Sequence, residues 1–152
     1  MQLKKLSRNK LIAGIMVVLA SLGLLDAALL TQQHYSGKVL PCSITRGCET
    51  VLTSKYSEVF GIPVALFGVA FYVGMLILAL YYIQLQHVWL KRVLLLGGIV
   101  GFVSSMVLVY IQGAIIGAWC QYCLLSALSS TLLLILSGLL FTTKEDTAHE
   151  KA

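Results

Sequence analysis

"FGIPVALFGVAFYVGMLILALYYI", residues 60–83, runs without a single charged side chain. Coiled as a helix rising 1.5 Å per residue, it reaches about 36 Å, enough to cross a hydrocarbon core of about 30 Å. It shows none of the ten-residue alternation of a membrane barrel strand, and in lipid a lone segment must satisfy its own backbone hydrogen bonds. The stretch is therefore a membrane-spanning helix. Working outward, residues 11–30, 93–116 and 119–141 have the same length and character. The 152 residues are 59% hydrophobic and 11% charged with mean hydropathy +0.91, too apolar for an ordinary soluble domain. The expected fold is all-α: a four-transmembrane-helix bundle in one domain, 1–152, with an outer loop at residues 31–59 containing a short helix. A basic start before an apolar run also suits a secretory signal peptide. The first run is longer than the usual signal core and precedes no convincing small-x-small cleavage site, so it is expected to be retained.

The net charge of +5 does not point to nucleic acid, because the basic residues cluster at the ends of apolar runs and form no stripe interleaved with aromatics. They set topology instead. Lys4, Lys5, Arg8, Lys10, Lys91, Arg92, Lys144 and Lys151 fall on one side; Lys38, Arg46 and Lys55 fall on the other. The richer side is expected to be cytoplasmic, with both termini inside and the 31–59 loop outside.

On that assignment all four cysteines lie at the outer face, the side where disulfides persist. Cys42 and Cys48 frame "CSITRGC" in the loop; Cys120 and Cys123 frame "CQYC" where the fourth span begins. The C-x5-C pair, taken alone, reads equally as a loop staple or as a redox pair. A C-x-x-C bridge restricts the unfolded chain little. One helical turn places its sulfurs on one face, the first near a helix N-terminus whose partial positive charge favours thiolate. Four thiolates can also bind zinc, but finger spacings are absent and an oxidising compartment disfavours free thiolate cages, so no metal is expected. Two pairs on one side form a relay: an outer pair reaching a soluble protein, an inner pair passing two electrons to a carrier dissolved in lipid.

Other residues read as structural. Asp26 sits about 6 Å inside the first span by helix rise, where a hydrogen-bonded role outweighs proton handling. His34, His87 and His149 read as solvated. Gly97, Gly101 and Ser105 form a small-residue packing face. Trp89, Trp119, Tyr81, Tyr82, Tyr110 and Tyr122 suit an interfacial belt.

The chain resembles bacterial homologues of the vitamin K epoxide reductase family that have no fused thioredoxin-like domain. The resemblance covers nearly the whole chain and rests on C-x5-C, Ser54 six residues later, "FGIP" opening the second span, and "CQYC" at the outer end of the fourth. DsbB, which does similar chemistry on an unrelated chain, carries its two cysteine motifs in the reverse order. The resemblance implies a quinone-dependent membrane thiol-disulfide oxidoreductase supporting disulfide formation. It implies redox disulfides Cys42–Cys48 and Cys120–Cys123 with a transient Cys48–Cys120 bridge. Cys42 would meet the partner, a soluble thioredoxin-fold (DsbA-like) protein supplied in trans, and Cys123 would face a quinone of ubiquinone, menaquinone or phylloquinone type. Ser54 would hydrogen-bond near the sulfurs, although a serine there also suits a cap of the loop helix. The quinone pocket is placed around Cys123, Val64, Phe67, Trp119 and Tyr122. Val64 and Ala127 stand where relatives carry a polar Asn or Tyr, so mainly apolar contacts are expected and activity toward an epoxide is the in-family alternative. A non-catalytic membrane subunit stapled by two disulfides is the alternative outside the family.

Overall fold

The computed structural model describes residues 2–37 and 47–143, with side chains from residue 8 onward. Lys38, Cys42, Arg46, Lys144, His149 and Lys151 lie outside the described residues. The chain forms α1 (Gln2–Ser36), α2 (Cys48–Leu52), a hairpin of β1 (Glu58–Val59) and β2 (Ile62–Pro63), α3 (Val64–Leu85), α4 (Val88–Tyr110) and α5 (Gln121–Thr142). A π-helical segment, Ile111–Ile116, continues α4. Four stretches, Arg8–Ser36, Val64–Leu85, Val88–Ile116 and Gln121–Thr142, are long and apolar enough to cross a membrane. This is the expected all-α membrane bundle. α1 packs on α3, α3 on α4, α4 on α5 and α5 back on α1, closing a ring.

The packing follows from the solvent. Lipid tails are as apolar as a leucine, so helices associate by close approach rather than by hiding apolar surface. α1 accordingly turns Ala13, Met16, Ala20 and Ala27 inward and Leu11, Ile15, Val18, Leu22, Leu25 and Leu29 outward. Gly23 leaves room for the ring of Tyr72, while Gly97 and Gly101 receive Met75 and Phe71 of α3. A methyl group on Gly98 would stand 2.8 Å from Ser137 Oγ and 3.0 Å from the Cα of Leu134. The third member of the expected small-residue face behaves differently, since Ser105 Oγ is hydrogen-bonded to Ser130 Oγ of α5 at 2.7 Å.

Three boundaries differ from expectation. α1 continues to Ser36, and α4 starts at Val88 rather than at 93. The second span starts at Val64 rather than at 60, because Phe60 (φ 55°) and Gly61 (φ 76°) make the two-residue turn of the hairpin. Positive φ at both central positions suits the twist of such a turn. Pro63, unable to donate, then caps α3, and the Val64 N–H is taken by the Ser57 carbonyl at 2.9 Å.

Two polar side chains, one counted for topology and one expected in solvent, are built into the fold. Lys91 is 2% exposed; its Nζ donates to the carbonyl of Thr143 at 2.8 Å and to Thr143 Oγ1 at 3.0 Å, a cation placed against the C-terminal end of α5. His34 Nε2 pairs with Glu58 Oε1 at 3.1 Å, tying the end of α1 to the hairpin. Tyr82, placed by sequence in the interfacial belt, is fully buried.

Because the α4–α5 contact is backbone-close at Gly98, Gly98→Val is expected to destabilise the bundle by about 1–3 kcal/mol, the usual cost of overpacking. Gly74→Val, at a position with nothing within 4 Å of its added Cβ, is the control. Thermal melting of the two purified variants in detergent checks the difference.

Candidate functional site

The site is assembled where the outer segments meet the start of α5. Cys48 opens α2, whose one and a half turns lie on the α4–α5 connection, and Gly47 permits that approach. A methyl on Gly47 would stand 2.8 Å from the backbone N and 2.9 Å from the O of Trp119. Cys48, Val51 and Cys120 are buried against one another, with Ile116, Tyr122 and Cys123 packed around them. Cys48 is disulfide-bonded, while Cys120 and Cys123 are both free thiols. Cys120 and Cys123 are thus not bridged to each other here, and a redox pair passes through both the thiol and the disulfide form. Cys42 lies outside the described residues.

Cys120 is the residue immediately before α5 and has extended backbone (φ −101°, ψ 119°). From that position its sulfur faces the open N–H groups of the first turn. A thiolate there accepts hydrogen bonds from the Cys123 thiol and from the backbone N–H groups of Cys123 and Tyr122. The Cys123 thiol is the largest of these influences, and together they outweigh the cost of burial and bring Cys120 down to about 7. Thiolate is therefore the majority form above about pH 7 and is lost below it. Cys120 N–H is itself held, donating to Gln112 Oε1 at 2.9 Å.

On the far side of Cys123 lies a cavity of about 790 Å³ between α1, α3, α4, α5 and the outer segments. Cys123, Ser126 and Ser130, at i, i+3 and i+7, share the face of α5 that borders it. Val64 and Phe67 border it from α3. Trp119 and Tyr122 do not. Tyr122 is one residue, about 100°, around the helix from Cys123 and turns toward Cys48 and Cys120, while the Trp119 ring lies over Gly113. Ser54 borders the cavity, yet its Oγ donates to the Val51 carbonyl at 2.8 Å rather than to a sulfur. It follows α2 instead of preceding it, so it is no N-cap either.

The cavity wall is more polar than the sequence suggested. Tyr72 OH, from α3, lies 2.9 Å from both the carbonyl and Oγ of Ser126, and Gln112, Ser104 and Ser105 also border the space. Asp26 lies in electrostatic range of Tyr72, Cys120 and Cys123, and its Oδ2 is buried with no hydrogen-bond partner among the described residues. Gln112 and Tyr72 were not singled out from sequence. A lone amide eight residues before Cys120, in an otherwise apolar span, was the available signal for the first; Tyr72 carried none that set it apart from the belt tyrosines.

Two measurements test this geometry. In reduced Cys42→Ser/Cys48→Ser protein, ultraviolet thiolate absorbance is expected to rise with a midpoint near pH 7, and Cys123→Ala is expected to move that midpoint up toward the ordinary thiol value of about 8.5. In Cys42→Ser/Cys123→Ser protein, Cys48 and Cys120 are expected to bridge on mild oxidation. Adding Gly47→Ala should slow that bridging about tenfold, the rate equivalent of the smaller overpacking costs; alkylation and gel shift follow both.

Four apolar spanning helices, a C-x-x-C pair at the head of the last one and a further cysteine packed on its first thiol form the setting for a match to a known family. The model described as "Vitamin K epoxide reductase family" matches residues 14–138. These residues include all four cysteines, the whole of the second and third spans and most of the first and fourth. Members of that family are membrane oxidoreductases that couple thiol-disulfide exchange to quinones, and this chain belongs to the vitamin K epoxide reductase family.

Proposed function

We propose that the protein oxidises the dithiol of a soluble thioredoxin-fold, DsbA-like partner and passes the electrons to a membrane quinone, supplying disulfides to exported proteins. The observation that carries this reading is the layered placement of three sulfurs. Cys48 packs on Cys120, and Cys123 stands between that contact and the cavity. In the proposed sequence, the partner's two thiols reduce the Cys42–Cys48 disulfide by exchange. Cys48 thiolate then attacks Cys120 of the inner disulfide, and Cys123 leaves as thiolate. Cys42 resolves the Cys48–Cys120 bridge, which returns the outer disulfide and leaves Cys120 and Cys123 reduced.

The cavity suits a quinone. Its volume falls in the range of small-molecule sites, and its walls combine apolar side chains with a few convergent polar groups. Quinone supplies a two-electron, two-proton acceptor. Val64 and Phe67 would hold its ring by apolar contact, and the Tyr72 and Ser126 hydroxyls place exchangeable protons at the wall. We place the protein in the cytoplasmic membrane with both termini inside. In support, Lys91 and the C-terminal end of α5 meet at one end of the bundle, with the cysteines at the other.

Anaerobic turnover of a reduced DsbA-like protein with ubiquinone and menaquinone analogues tests the proposal. Cys123→Ala is expected to abolish quinone reduction. Cys42→Ala is expected to block electrons from the protein partner while a small dithiol, able to enter the cavity and reach Cys123, still drives the reaction. Failure of the unaltered protein to reduce either quinone would overturn the reading.

A further inference from the structure

Gln112 is the second residue of the π-helical segment and is 3% exposed. A primary amide has two donor hydrogens and an accepting oxygen, and hiding any of them unpaired in an apolar wall is costly. The oxygen is used: Oε1 takes the N–H of Cys120 at 2.9 Å. The nitrogen is not. Nε2 makes no hydrogen bond among the described residues, and the residue borders the cavity that Cys123 also borders. The neighbouring hydroxyls are already engaged with one another, Tyr72 with Ser126 and Ser105 with Ser130.

The local backbone is arranged around this side chain. Isolated π-helical turns are rare and concentrate at functional sites, because the extra residue in the turn re-aims side chains. Here the Gln112 carbonyl also accepts the N–H groups of Gly117 and Ala118, the latter at 3.1 Å, and Gly117 takes a positive φ of 69° to make the turn. The segment holds Gln112 with its oxygen on Cys120 and leaves its nitrogen for the cavity.

We propose that Gln112 is a substrate-binding residue whose Nε2 donates a hydrogen bond to a carbonyl oxygen of the quinone, while its Oε1 holds Cys120 at the head of α5. The proposal rests on the reading of the cavity as the quinone site. A quinone head group offers acceptors and no donors, so it needs what an unengaged amide nitrogen supplies. The donor is neutral, and it is joined through one side chain to the residue carrying the thiolate.

Equilibrium binding of a short-tailed ubiquinone analogue to the full chain and to Gln112→Met and Gln112→Glu separates the possibilities. Met removes both functions; Glu keeps the acceptor for Cys120 N–H but has no donor when ionised, so binding is measured above the pH at which the buried carboxyl titrates. Both variants are expected to bind roughly three- to tenfold more weakly than the unaltered protein, as for loss of one neutral hydrogen bond, with Glu no better than Met. If Glu binds like the unaltered protein while Met is weak, Gln112 acts only through Cys120 and the proposal falls. Equal binding by all three overturns it too. If the unaltered protein binds no quinone, the cavity reading falls and takes the proposal with it. Should the buried Glu prevent folding, the infrared carbonyl stretch of an isotope-labelled quinone decides: a downshift on the unaltered protein that persists in Gln112→Met overturns the proposal, and one that disappears supports it.

Discussion

Between α4 and α5 the chain reverses at the edge of a hydrocarbon layer, where the N–H groups of Gly117, Ala118 and Cys120 must find acceptors close at hand. Leaving one unpaired in such surroundings costs several kcal/mol. Gln112 meets all three, two with its backbone carbonyl and one with its side chain. Much of the site depends on this. The reversal fixes where α5 begins, the beginning of α5 fixes which residue precedes its first turn, and that residue is Cys120. Its lowered thiol follows from the open N–H groups it faces and from Cys123 three residues on.

The same economy of space shapes the bundle below. Small residues line the inward face of α1, and Gly23, Gly98 and Gly101 let rings or backbone come close. Close packing at the Lys91 end and the wider space at the cysteine end are two parts of one arrangement. At Ser105, α4 meets α5 through a hydroxyl hydrogen bond to Ser130, and there the cavity is found. Tyr72 bridges the two regimes, its ring against Gly23 and its hydroxyl on Ser126.

The spans and the fold class were legible because lipid imposes one dominant rule, sustained apolarity over a fixed length. The C-x-x-C pair was legible because helix geometry alone puts Cys120 and Cys123 on one turn. The hairpin at Glu58–Pro63 was hidden inside a continuous apolar run: the sequence of Phe60 and Gly61 continues the hydrophobic pattern, and only their positive φ sets them apart. The roles of Gln112, Tyr72 and His34 depend on partners 8, 54 and 24 residues away along the chain, Cys120, Ser126 and Glu58. No local periodicity encodes such pairings. Trp119 and Tyr122 lie off the cavity that Cys123 borders because proximity to Cys123 in sequence does not give direction around the helix, which the starting point of α5 decides.

Gly47 carries a consequence for which substitutions this chain can absorb. The separation of the two cysteine-bearing segments is set there by backbone resting on backbone, at Trp119, rather than by the fit of particular side chains. Val51, Leu52, Ile116 and Tyr122 surround that contact without defining it. Conservative substitutions among them can be absorbed by repacking and leave the spacing of Cys48 from Cys120 as it is. A single methyl group at residue 47 would reset it.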